Sequence, residues 1–163
     1  MALATTLCLM GARSVTIAGA SGISDSDARE LYKQIHGLPS PSGQTPHATD
    51  WYISSRVRQE ESTALLLAYN AARKKLPNGE AFIRAYKVIY QLNAGNPCLD
   101  PERAYYLIKM TSDFSAFSHS KAVKSGPLAI MRCRVCGRQL LAASHHRVYT
   151  CPVCEAKAEA KAA

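Results

Sequence analysis

Apolar positions recur at three- and four-residue spacing along most of this 163-residue chain, the period of helices with one face turned inward. Residues 2–20 are rich in Ala, Leu and Val and read as a first helix, with Gly11 and Gly19 as weak points. Ser24-Asp25-Ser26-Asp27 is a start signal. A serine hydroxyl there can accept from an exposed amide, and acids in the first turn suit the positive end of the helix dipole. This second helix is expected from Asp25 to Ile35, stopping at Gly37 with Pro39 beyond it. Residues 37–49 hold three prolines and two glycines and read as a loop or linker. A helical block over 53–76 follows, with Val57, Ala64, Leu65, Ala68, Ala72 and Leu76 along one face, broken by Pro77-Asn78-Gly79. Phe82, Ala85, Tyr86, Ile89 and Leu92 form the next stripe, ended by Gly95 and Pro97. Asp100-Pro101-Glu102 supplies a cap residue, a proline at the first helical position and an acid behind it. The helix it opens carries Ala104, Leu107, Ile108, Thr111, Phe114 and Phe117 inward. From Met131 to Cys154 the helical period disappears, and Ala156 to Ala163 reads as a frayed terminal helix.

That interruption coincides with the most specific chemistry in the chain. Cys133-x2-Cys136 and Cys151-x2-Cys154 are two knuckles separated by 14 residues. Two thiolates on one tight turn can bite one ion, and a second turn completes a tetrahedron of four sulfurs, the closed site that Zn²⁺ favours. Gly137 follows the first pair and Pro152 stiffens the second. The alternatives are local disulfides or free core cysteines, and an iron–sulfur cluster. His145 and His146 lie between the knuckles and could replace a cysteine, but with four thiols present they read as surface or phosphate-facing groups. A closed four-thiolate site holds no activated water, so one structural Zn²⁺ is expected. It would supply folding free energy that this short segment lacks. Cys8 and Cys98 have no paired spacing and read as small buried hydrophobes. The expected fold class is mainly α. A helical partner-binding and DNA-binding region over 1–128 contains a candidate helix-turn-helix, and a small four-cysteine, zinc-ribbon-like module with a short tail occupies 129–163.

Charge sharpens the picture. Lys plus Arg number 20 against 12 Asp plus Glu, a formal charge of +8. Between Phe114 and Cys154 no acid occurs, while Lys121, Lys124, Arg132, Arg134, Arg138 and Arg147 all fall there. A one-signed stretch concentrates polyanions. Nucleic acid fits this better than an anionic membrane, because no basic amphipathic helix accompanies it. No stretch approaches the roughly 18 apolar residues that a bilayer span needs. The N-terminus lacks the basic region of a secretory signal, so the expected compartment is the cytoplasm. Reduced, knuckle-paired cysteines agree with that.

Ile17, Ala18, Gly22, Ile23, Ala28 and Leu31 have helix-turn-helix spacing: a small residue at the crossing, a glycine at the turn and apolar groups beyond it. The second helix would offer Asp25, Ser26, Arg29, Glu30 and Lys33 outward, and Arg29 and Lys33 join the candidate DNA contacts. That mixed face suits a protein partner as well as DNA. Tyr86, Tyr90, Tyr105, Tyr106, Phe114 and Phe117 exceed what a few helices readily bury, which also points to a partner surface. No glycine-rich phosphate loop, HExxH or metal-spaced carboxylate cluster occurs, so no enzyme is expected.

The run Gly11-Ala12-Arg13, then Ser24, Leu31-Tyr32-Lys33 and Gly37, resembles the FlhC family of flagellar master activators. So do the loop ending Thr49-Asp50-Trp51, the later Ala85-Tyr86 and the two cysteine knuckles, in that order. The resemblance covers most of residues 9–155. It implies a bacterial transcription activator that forms a hetero-oligomer with a small helical partner, FlhD, binds double-stranded promoter DNA and assists RNA polymerase. It also implies that Cys133, Cys136, Cys151 and Cys154 hold zinc. The regulon is flagellar or that of a related, conjugative-transfer system. Two departures are expected: a short segment before the first shared motif, and no long basic tail after the last knuckle. The alternative reading is a zinc-ribbon RNA-binding or ribosome-associated protein.

Overall fold

Gly11 has φ +85°, a left-handed backbone that a β-carbon opposes, and it ends the first helix early. The span 2–20 is therefore two helices, α1 (Ala2–Leu9) and α2 (Ser14–Ser21), rather than one. The computed structural model describes residues 1–44, 46, 48–112, 127–146 and 148–162. Gly22 makes the turn after α2 in a left-handed conformation. The Ser24 hydroxyl then accepts from the Asp27 amide at 3.1 Å, and α3 runs over Asp25–His36 to a stop at Gly37. Ala28 and Leu31 are buried against α1 and α2, while Arg29, Glu30 and Lys33 face outward. α2 and α3 thus pack as consecutive helices joined at Gly22.

A short 3-10 turn, Asp50–Ile53, buries Tyr52, whose hydroxyl donates to the Arg103 carbonyl at 2.9 Å. Beside it the Trp51 ring is covered by two guanidinium groups, Arg58 and Arg103, each 4.5 Å from its centroid. Ser55 caps α4 (Arg56–Ala72), accepting from the Arg58 amide. The inward face of α4 differs from the apolar stripe expected. Val57 is 58% exposed, and the helix buries Gln59, Glu61, Ser62 and Thr63 together with Leu65, Leu66 and Tyr69. The reason is polar pairing across the fold. Glu61 accepts from the Cys98 and Leu99 amides at 3.2 and 3.0 Å, fixing the loop ahead of the next cap. It also accepts from the Cys98 thiol at 3.0 Å, and local desolvation of the sulfur beside this carboxylate pushes the thiol up to about 12, although the residue as a whole is open to solvent. Cys98 is an exposed residue, not the buried hydrophobe expected, whereas Cys8 is buried.

Helix α5 (Asn78–Leu92) buries Phe82, Ala85, Tyr86 and Ile89 as its stripe requires; Leu92, at the frayed end, is exposed. Asp100 caps α6 (Pro101–Thr111) through the Arg103 amide at 2.8 Å, with Pro101 opening the helix. Thr111 is only half-buried, and Phe114 and Phe117 lie outside the described residues. Gly19 is no weak point. A β-carbon there would stand 2.5 Å from the Tyr105 hydroxyl, so its absence lets α2 and α6 approach. Tyr86 and Tyr105 belong to the interior and Tyr106 packs half-buried against it, which leaves Tyr90 as the exposed aromatic among those of the six that are described.

After α6 the described chain resumes with β1 (Leu128–Arg132), antiparallel to β2 (Gln139–Ala143), Leu128 opposite Ala143 and Arg132 opposite Gln139. A terminal helix, α7 (Pro152–Ala162), begins at Pro152 rather than Ala156, because the second knuckle is its first turn. The molecule is mainly helical with this one small sheet among the described residues. No described helix is long and apolar enough to cross a membrane. Leu128 and Leu141 reach into the same core as Tyr52, Tyr69, Phe82 and Tyr86.

Candidate metal centre and basic face

The hairpin β1–β2 delivers the first knuckle, and its turn is held by backbone bonds. The Gly137 amide, in left-handed conformation, donates to the Cys133 carbonyl at 2.9 Å, and the Cys133 amide donates to the Arg138 carbonyl at 2.8 Å. The second knuckle is closed by the Cys154 amide on the Cys151 carbonyl at 2.9 Å. A short parallel bridge, Cys133 with Tyr149, brings the two together, so that the Arg134 amide donates to the Tyr149 carbonyl at 2.9 Å. Residues far apart in sequence are thereby placed as one group.

All four sulfurs lie within 4.8 Å of one another, and the Cys136 and Cys151 sulfurs are 3.8 Å apart. A tetrahedral ion with metal–sulfur bonds of about 2.3 Å sets its ligands about 3.8 Å apart. A disulfide needs about 2.0 Å, and the cysteines are free. Two of the thiols, Cys133 and Cys154, are pushed in opposite directions. Amide donation, from Cys136 and Cys151 first, lowers Cys133 to about 6; a hydrogen bond to Cys151, with burial behind it, raises Cys154 to about 12. A cation replacing the shared protons would take every sulfur as thiolate. The cluster sits at the N-terminus of α7, where the helix dipole would favour thiolates. Among the described residues no histidine joins the group; His145 and His146 are exposed and stack on each other, centroids 4.4 Å apart.

The cysteine module is docked rather than tethered. Leu141 is fully buried, and both its backbone groups bond to α4 side chains. Its carbonyl accepts from Gln59 Nε2 at 2.7 Å, and its amide donates to Thr63 Oγ1 at 2.8 Å. Gln59 Nε2 also donates to the Tyr149 hydroxyl at 3.0 Å, reaching the strand pairing beside Cys133. One helix thus satisfies the open edge of β2 in place of a third strand. Nothing in the hydrophobic pattern announces this; the only signal is a polar Gln-x3-Thr spacing on a helix otherwise expected to be apolar inside.

Docking also assembles cations. Arg132, Arg134 and Arg138 are exposed on the module. Arg138 reaches Glu60 of α4 at 3.3 Å, and Glu60 simultaneously pairs with Arg56 at 2.9 Å. Arg134 Nε donates to the hydroxyl of Thr150, the residue before the second knuckle, at 3.1 Å. Arg56 was not among the sequence candidates, because it lies more than 70 residues upstream of the knuckles and joins them only through the fold. Lys121, Lys124 and Arg147 lie outside the described residues. Arg29 and Lys33 are elsewhere: with Arg13, Ser14 and the 39–43 segment they line a cleft of about 540 Å³ beside α3 that includes no residue of the module.

The family described as "Flagellar transcriptional activator (FlhC)" matches residues 1–163. A flagellar transcriptional regulator FlhC of Xenorhabdus nematophila is 29% identical over 165 residues, covering 94% of this chain and 77% of that protein. One from Proteus mirabilis is 27% identical, with 94% and 77% covered. One from Gallionella capsiferriformans is 24% identical, with 97% and 84% covered.

Proposed function

The chain belongs to the FlhC family of flagellar transcriptional activators, and from that premise we propose that it is the DNA-binding subunit of an activator complex. In this reading the four cysteines hold one structural Zn²⁺, which clamps the two knuckles and takes no part in chemistry. Its sulfur spacing is that of a single tetrahedral ion rather than a larger iron–sulfur core. Arg132, Arg134 and Arg138, joined by Arg56 across Glu60, grip the phosphate backbone of promoter DNA, with Lys121, Lys124 and Arg147 adding to the same acid-poor stretch. Arg134 or Arg138 also reads guanine edges. Arg29 and Lys33 form a separate contact on α3. An FlhD-like helical protein completes the complex, which recruits RNA polymerase in the cytoplasm to flagellar or related, including conjugative-transfer, operons. The role is regulatory rather than catalytic, as the names of the relatives support.

The observation that carries this reading is the docking of the cysteine module onto α4 by Gln59, Thr63 and Glu60, which sets its arginines at fixed positions. The test is co-expression with an FlhD-like subunit, followed by zinc analysis and promoter binding at two salt concentrations. One zinc per chain and partner-dependent, salt-sensitive duplex binding are expected. Metal-free protein that binds DNA normally, or a preference for structured RNA over duplex DNA in competition, overturns it.

A further inference from the structure

Away from the cysteine module, α5 is flanked by two concave surfaces. One, about 470 Å³, lies between α5 and the C-terminal part of α4; the other, about 500 Å³, lies between α5 and α1. They share Leu76, Arg84 and Val88, so they adjoin across α5 as one grooved surface. Ala68, Ala72, Leu76, Ile83, Val88 and Leu3 supply its apolar lining. Val88 is 39% exposed, though a valine at that position in a sealed core would be covered. The alanines on α4 leave room for another backbone to come close. The edges are cationic: Lys75, Arg84 and Lys87 stand against one carboxylate, Glu80.

Taken together these features select an occupant. An apolar, elongated floor accepts a helix that presents side chains at i, i+3/i+4 and i+7. A rim of three cations and one anion favours acidic flanks on that helix and disfavours basic ones. Duplex DNA matches the rim but wastes the floor, since phosphate contacts need no apolar surface. A second copy of this chain in a two-fold contact would set the same cations against each other. We infer that this groove docks an amphipathic helix with an apolar seam and Asp/Glu flanks, supplied by a partner protein. The inference deepens the hetero-oligomer half of the reading above and rests on it.

The probe is a fluorescein-labelled synthetic helical peptide with a leucine seam and glutamate flanks. Its control has the same seam and lysine flanks. Anisotropy is read against the full zinc-loaded chain and against a variant carrying Arg84→Glu and Lys87→Glu. Both positions are exposed, and a melting curve checks that the variant folds. The native chain is expected to bind the acidic peptide at least tenfold tighter than the basic one, with the order reversed in the variant. Equal binding of the two peptides, no binding of either, or an order unchanged by the charge reversal overturns the inference. So does a native dimer in sedimentation that the variant loses, which would assign the groove to a second copy. Co-purification of an FlhD-like subunit is measured in parallel on both proteins. If it survives charge reversal, the groove assignment falls while the hetero-oligomer stands. If the native chain captures no subunit, the hetero-oligomer reading falls as well.

Discussion

Replacing Gln59 by leucine isolates the contact on which the placement of the cysteine module depends. The side chain is 6% exposed, and its amide donates to the Leu141 carbonyl at 2.7 Å and the Tyr149 hydroxyl at 3.0 Å. Leucine fills a similar volume, so little of the effect is a cavity. The Leu141 carbonyl, in a fully buried residue, loses this donor. A stranded buried acceptor costs about 1–3 kcal/mol. The Tyr149 hydroxyl belongs to a half-exposed residue and can turn to water, so its lost bond adds only about 0.5–1 kcal/mol. The expected destabilisation is about 2–3 kcal/mol, or roughly 5–10 °C in melting temperature for a chain of this size. The assay is urea or thermal unfolding with zinc present, alongside zinc release measured with a chromophoric chelator. Faster zinc release is expected too, because Tyr149 pairs with Cys133. A loss below about 0.5 kcal/mol with unchanged release would refute the reasoning, since surface substitutions alone fall in that range. Thr63→Val, which strands the Leu141 amide, should have a similar effect, and the double variant should cost less than the sum.

Gly19→Ala should lower stability by about 1–3 kcal/mol despite the better helix propensity of alanine, because the new methyl meets the Tyr105 hydroxyl; thermal melting checks it. Glu102 is buried and accepts from the Arg13 amide at 2.7 Å, and burial raises its pKa above the ordinary carboxylate value. Burial thus penalises its charged form: the folded state binds this proton more readily than the unfolded one, so this group's contribution weakens as pH rises from the unfolded toward the folded value. Glu102→Gln keeps an acceptor and should change stability by less than about 1 kcal/mol, whereas Glu102→Leu strands the amide and should cost about 1–3 kcal/mol in urea unfolding. Chelation of the metal should release the module's packing, read as loss of Leu141 amide protection in hydrogen exchange while α5 amides stay protected.

What the sequence makes legible depends on how local the governing interaction is. The Ser24 and Asp100 caps act within three residues, and the Gly37 stop within one turn; all three follow from the chain order alone. The knuckles are equally local, and two of them at a short separation imply the four-sulfur cluster that the fold assembles. The inner face of α4 was not legible. Gln59, Glu61 and Thr63 look like outward polar residues until the backbones of Leu141, Cys98 and Leu99 arrive from far along the chain. The break at Gly11 is muted in the sequence, because α1 and α2 are both apolar and composition alone runs through the turn. The aromatic excess shrank for a related reason. Tyr86 finds the Leu99 carbonyl at 3.1 Å, so a ring with a polar end is accommodated inside rather than reserved for a partner.

In the proposed function, the docked cysteine module holds its arginines as a phosphate-binding face. The most direct measurement is the slope of log affinity against log salt for a promoter duplex, comparing the native chain with Arg132→Ala, Arg134→Ala and Arg138→Ala combined. Both are assayed with the FlhD-like subunit and full zinc. Each lost phosphate contact should reduce the slope by about one, so the triple variant is predicted to be shallower by about three. An unchanged slope, with zinc content and folding intact, would place the DNA on another surface and contradict the account.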